Sequence, residues 1–222
     1  MDGFSAVFAR EVGLAWRDGA GWAFGLVFFA LVIGLAAFAI GPDRASLSAL
    51  APGLVWLAAA LASQLSLDRL FAPDVEDGTL DLLTLGAAPL TLVALAKCAA
   101  QWTTSVAPII LAAPALAASL AMVETAYPTL IVSLLLGTPA LTLYGAIGAA
   151  LAAGSKANGL LVALISGPLI VPTLIFGVGA ARAGLDGAGF AAPELRLLGA
   201  VSLVAFAVAP VSIAAALRAQ ID

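Results

Sequence analysis

LDRLFAPDVEDGTLDLLTLGAAPLTLVALAKCAAQ, residues 67–101, is the stretch on which the reading of this chain turns. It carries Asp68, Arg69, Asp74, Glu76, Asp77, Asp81 and Lys97, seven of the 22 charged residues in a 222-residue chain that is 63% hydrophobic. On both sides of it, long uncharged runs alternate with very short polar joints. Charged residues make up 10% of the chain and its mean hydropathy is +1.14, whereas in a soluble domain about a quarter of residues are charged. In water such a chain would expose large apolar patches and aggregate. In lipid it is ordinary. The expectation is one all-α, polytopic membrane domain.

A hydrocarbon core about 30 Å thick is crossed by about 20 helical residues. Spans of that kind are expected at 22–40, 47–67, 92–121, 129–153, 159–181 and 197–217, six in all, with the charged segment 68–90 between the second and third. Ahead of them, residues 4–18 place Phe4, Val7, Phe8, Val12, Ala15 and Trp16 at helical spacing and Arg10 and Arg17 on another face. That pattern suits an amphipathic helix lying among lipid headgroups. Ala37-Phe38-Ala39 mimics a signal-peptidase site, but the apolar run is too long for a signal peptide and the chain beyond it is just as hydrophobic. Pro168 and Pro172 are expected to kink the fifth span, and the loop Arg182–Arg196 to carry a short re-entrant or interfacial piece. Gly145 and Gly148 suit close helix contact, which is how helices associate in lipid.

An even number of spans leaves both termini on one side. With the N terminus cytoplasmic, the inside carries Arg10, Arg17, Arg69, Lys97, Lys156 and Arg218, and the outside only Arg44, Arg182 and Arg196. The positive-inside rule counts basic residues rather than net charge, so the expected orientation is N-in and C-in with the charged loop in the cytoplasm.

Composition also excludes function classes. A net charge of −4 gives no basic footprint for nucleic acid. Cys98 is the single cysteine, so no disulfide forms within the chain. The absence of histidine removes the commonest metal and heme ligand. Cys98, Met122, Tyr127 and Tyr144 are chemically able to ligate heme iron, but each has a structural reading as core or interface packing. Gly154-Ser155-Lys156 lacks the upstream glycine and following hydroxyl of a phosphate-binding loop, so ATP must be hydrolysed by a partner if it is used at all. No acid or base lies near the middle of a span, which disfavours an ion-coupled transporter. Lys97, a turn or two inside the third span, is expected to snorkel to the surface; pairing with an acid of the loop or of a partner ATPase is the other reading.

Within the loop, Pro73-Asp74 is expected to open one short helix over 74–85, closed at Gly86, with Asp74 as N-cap. Asp74, Glu76 and Asp77 place negative charge at the positive end of its dipole, and Val75, Leu80, Leu82, Leu83 and Leu85 supply apolar contacts. Such an acidic, leucine-bearing helix suits a groove on a cytosolic partner. Resting on an anionic leaflet would instead repel its acids.

The same stretch resembles the heme exporter protein B (CcmB) family, whose members show a Leu-Asp-Arg-Leu-Phe start, an acidic core with glycine and leucine, a Pro-Leu pair and a closing Leu-Ala-Lys. These match Leu67–Phe71, Asp74 to Gly78 with Leu80, Pro89-Leu90 and Leu95-Ala96-Lys97. Asp81 stands where glutamate is expected, and Gly86-Ala87-Ala88 replaces a more polar stretch. The resemblance implies an ABC-2-like permease of the bacterial inner membrane in cytochrome c maturation. It implies an ATP-binding subunit, CcmA, docked on the cytoplasmic loop, with the membrane proteins CcmC and CcmD beside it and a functional link to the heme chaperone CcmE. ATP and heme would then reside on partners, this chain binding no cofactor and catalysing no reaction, and ABC architecture suggests two copies per complex by analogy. The expected ATPase contact is Asp74, Glu76, Asp77, Gly78, Leu80, Asp81, Leu82 and Leu83, with Arg10, Arg17 and Lys97 as a second cytoplasmic contact. The alternatives are an ABC-2-type exporter permease for a lipid, drug or polysaccharide, and a non-transporting assembly scaffold.

Overall fold

The computed structural model describes residues 3–17, 21–65, 67–85, 88–154 and 158–220. They form helices and no strand. Among them six helices are long and apolar enough to cross a membrane: Ala23–Ile40, Arg44–Gln64, Leu90–Ser119, Glu124–Ala152, Gly159–Leu185 and Pro193–Arg218. The expected all-α, six-span architecture is therefore present. Gly86, Ala87 and Lys156 lie outside the described residues, as does the side chain of Asp81.

Helix α1, Gly3–Arg17, buries none of its residues and lies against the start of the third span. Helix α2, Gly21–Ile40, is apolar all round, and its two faces differ in what they touch. Phe24, Val27, Leu31, Leu35 and Phe38 form an outward stripe, while Phe29 and Ile33 are fully buried on the other side. Asp43 caps helix α3, Arg44–Gln64, by accepting bonds from the amides of Ala45 and Ser46, each at 3.2 Å. The hydroxyl of Ser46 and then these amides hold the Asp43 carboxyl below the usual carboxylate range.

After the loop come two short helices, α4 (Ala72–Glu76) and α5 (Thr79–Leu85). The third span is not one uniform helix. Helix α6, Leu90–Gln101, passes through a π-helical turn at Trp102–Val106 into α7, Ala107–Ser119. Pro108 explains the turn: it has no N–H to give the Thr104 carbonyl, and its ring presses on that oxygen. The helix widens there, and the Ala107 amide bonds the Trp102 carbonyl, five residues back.

Helix α8, Tyr127–Ala152, runs through the middle of the bundle and packs against α3, α6, α7, α9 (Asn158–Leu185) and α10 (Pro193–Arg218). Pro168 and Pro172 lie inside α9, which continues through Arg182. The loop expected over Arg182–Arg196 is thus shorter, confined between Leu185 and Pro193, and its short piece is a 3₁₀ turn at Gly189–Ala191.

Trp56 of α3 locks three spans together. Its indole is fully buried, and its N–H donates to Ser133 Oγ of α8 at 3.1 Å. The ring fits only because Gly137 of α8 and Gly177 of α9 have no side chain: a Cβ on either would lie 2.5 Å from a ring atom. In lipid such close approach replaces the hydrophobic drive that joins helices in water. Two buried clusters result. One surrounds Trp56; the other joins the loop residues Leu67, Leu70, Phe71 and Leu80 to α6, α10 and the second half of α8.

Gly177→Ala should lower stability by about 1–3 kcal/mol by overpacking the indole. Gly167→Ala, where a Cβ meets nothing within 4 Å, should instead be neutral or stabilising, as alanine is the better helix former. Thermal unfolding of the two variants in detergent checks the opposite signs.

Candidate functional site

The charged loop does not hang free in water. Leu67, Phe71 and Leu80 are buried in the bundle, and Leu70, Ala72 and Asp74 between them are buried too. The single helix expected over 74–85 is instead two, broken at Asp77-Gly78, where Gly78 takes a φ of +75° that a side chain would strain. Phe71, not Asp74, occupies the N-cap of α4, and it makes no side-chain cap bond. Asp77 ends α4 and starts α5, its Oδ1 accepting from the Thr79 amide at 2.9 Å. The Thr79 hydroxyl first, and then that amide, hold the Asp77 carboxyl below its ordinary range. A depressed carboxyl stabilises the fold at pH values above its unfolded pKa, so this cap persists at neutral pH and is lost only under acid conditions.

Asp74 lies in the first turn of α4 and points inward. Its Oδ2 is 2.7 Å from Lys97 Nζ, and Glu11 Oε1 of α1 is 2.9 Å from the same nitrogen. The Lys97 side chain is 4% exposed, so it pairs within the protein and does not snorkel to the surface as expected. A lysine shielded from water this way needs its charge met by fixed partners, and Asp74 and Glu11 meet it. Arg10 Nη1, 3.3 Å from Glu11 Oε1 and largely exposed, completes an alternating row of charges.

The expected contact residues therefore divide. Glu76, Asp77 and Leu82 are exposed, Leu82 by 69%, and Gly78 and Leu83 are partly exposed. Asp74 and Leu80 are buried, so they act from within rather than as a surface. Arg10 and Arg17 are exposed on α1. Glu11 is absent from the expected contacts although the sequence carries its signal: at helical spacing it falls within the apolar stripe of Phe4, Val7, Phe8 and Ala15, away from Arg10 and Arg17, where an acid needs a partner. Only the fold supplies its partner.

An apolar cavity of about 530 Å³ adjoins the π-helical turn, lined by Phe4, Cys98, Trp102, Thr103, Pro139 and Phe206 among others. Trp102 anchors that turn to α8 by donating its indole N–H to Thr138 Oγ1 at 2.9 Å. The Thr103 hydroxyl donates to its own helix, at the Ala99 carbonyl. The Tyr127 hydroxyl donates to the Met122 carbonyl and that of Tyr144 to the Val201 carbonyl, so both phenols have partners. Among the described residues no group of three or more cysteines and acids is placed to hold a metal ion.

The family model described as CcmB protein matches residues 2–220. The chain belongs to the CcmB family. It is similar to the heme exporter protein B of Bradyrhizobium diazoefficiens, at 45% identity over 223 residues and 100% of each chain. The heme exporter protein B of Rhodobacter capsulatus is 45% identical over 97% of this chain and 99% of its own. That of Escherichia coli K12 is 45% identical over 99% of each.

In this CcmB-family chain the ion cluster gives an ordered set of expected effects. Lys97→Met leaves a buried Asp74 carboxylate without a cation and should cost about 3–5 kcal/mol. Asp74→Ala should cost less, since Lys97 keeps Glu11. Glu11→Gln, at the most exposed of the three positions, should cost least. Melting temperatures of the three variants in detergent check the order.

Proposed function

We propose that this CcmB-family chain is the membrane subunit of an ABC-type complex in cytochrome c biogenesis, in the bacterial inner membrane. The names of its relatives support heme export as the setting. The observation that carries the docking reading is the α4–α5 elbow, where exposed Glu76, Asp77 and Leu82 stand on a footing buried through Leu80 and Asp74. An acidic edge with one projecting leucine fits a basic, notched surface on a cytosolic partner. The basic residues favour the cytoplasm for that edge and for both termini.

The partner in this reading is the ATP-binding subunit, CcmA. It hydrolyses ATP and presses on the elbow, and the bundle passes the movement to the joints on the far side. With CcmC and CcmD working beside this chain, the outcome is heme delivery and release of the heme-loaded chaperone CcmE. ATP and heme are held by those partners, and this chain acts by moving.

Purification of the tagged chain from membranes in mild detergent should recover an ABC ATPase together with a heme-bearing membrane protein. Replacing Glu76 and Asp77 by lysine should abolish recovery of the ATPase while the rest of the fold survives, since both side chains are exposed. An ATPase without a heme protein would favour an exporter of another substrate. The chain recovered alone would overturn the docking reading.

A further inference from the structure

Helices α1 and α4 both lie at the edge of the bundle, α1 along α6. Helix α1 has no buried residue. Helix α4 has five residues, too few to hold a helix by its own hydrogen bonds. Yet each sends one carboxylate to the same ammonium, Glu11 at 2.9 Å and Asp74 at 2.7 Å from Lys97 Nζ, and Lys97 belongs to a third element, α6. Three donors on one nitrogen can serve both acids at once. Taken with Arg10 at the surface, the row reads plus, minus, plus, minus and sums to zero.

The connection has limits on either side. Toward α5 the helix ends at Asp77 and the chain turns through Gly78, at φ +75°, a backbone conformation outside the helical range. Toward the membrane interior α6 ends at Gln101, and the hydrogen-bond register changes in the turn Trp102–Val106. Such turns concentrate bending in a helix. At its far end α1 is closely packed too: a Cβ on Gly3 would lie 2.8 Å from Ala88 Cβ, just ahead of α6.

We propose that Lys97 is a positioning residue that makes α1, α4 and the first turns of the third span one moving unit. A load on Glu76 and Asp77 then reaches the π-helical turn through a salt bridge rather than through the covalent chain, and α1 moves with it. The load itself rests on the docking reading above; the unit does not.

Two measurements test this. The first is hydrogen exchange on the full-length chain in lipid nanodiscs, without any partner. Lys97→Met should speed exchange about a hundredfold or more in α1 and in 72–76 together, well beyond any change in the buried middle of α8. Loosening of only one of the two helices would overturn the unit. Glu11→Gln, the milder change, should loosen both to a smaller degree and serves if Lys97→Met does not fold.

The second uses the reconstituted complex and reads ATP hydrolysed per chaperone released. That ratio should rise about tenfold in Lys97→Met, a loss of roughly 1.4 kcal/mol of coupling, and stay near the parental value in Lys97→Arg. A disulfide between Gly3→Cys and Ala88→Cys should leave the ratio unchanged, because the two move together. A parental ratio in Lys97→Met, or turnover stopped by the disulfide, would overturn the relay. A parental chain that recovers no ATPase would sink the docking reading instead, while the exchange result would still decide the unit.

Discussion

Hydrocarbon offers a polypeptide no hydrogen bonds, and it solvates apolar side chains as well as other side chains do. The backbone must therefore satisfy itself, which makes every span a helix. Helices then associate only where their surfaces meet closely or where polar groups find each other. Trp56 shows both devices in one residue. Its ring lies against two positions that tolerate nothing larger than hydrogen, Gly137 and Gly177, and its single N–H is given to Ser133. Helix α8 contributes two of those three partners and is in contact with most of the other spans. The remaining helices are arranged around it.

The charges follow the same rule at the membrane edge. An acid or base that enters the bundle must bring its counter-charge with it, since desolvating an unpaired ion costs several kcal/mol. Lys97 satisfies this with two carboxylates from separate elements. The acids that remain on the loop are divided by burial: Asp74 serves the interior, and Glu76 and Asp77 are left for whatever meets the protein from outside. A single acidic run in the sequence is thus divided between interior and surface by which way each residue of this short segment faces. The π-helical turn and its neighbouring apolar cavity lie just beyond the ion cluster, where a change in helix register relieves the demand of Pro108.

Much of the architecture could be read directly. Run length and hydropathy located six spans, because the cost of exposing or burying a residue in lipid is set by that residue itself. The break at Asp77-Gly78 was marked by a glycine, yet the sequence reading carried one helix across it. The π-helical turn was likewise marked by Pro108 and passed over. In both cases a local signal was outweighed by the apolar pattern around it. The assignment of Lys97 to the surface failed for a different reason: a lysine near a helix end is compatible with snorkelling or pairing, and nothing beside it in the chain distinguishes them.

By itself, then, the sequence determined that this protein is an all-helical membrane bundle with an acidic loop, because helix period, span length and charge are properties of neighbouring residues. Only the tertiary structure decided which of those acids face outward and which bind Lys97. That choice depends on Glu11, Asp74 and Lys97 meeting at one point from three helices, and distance in space, not along the chain, sets the energy of a charge.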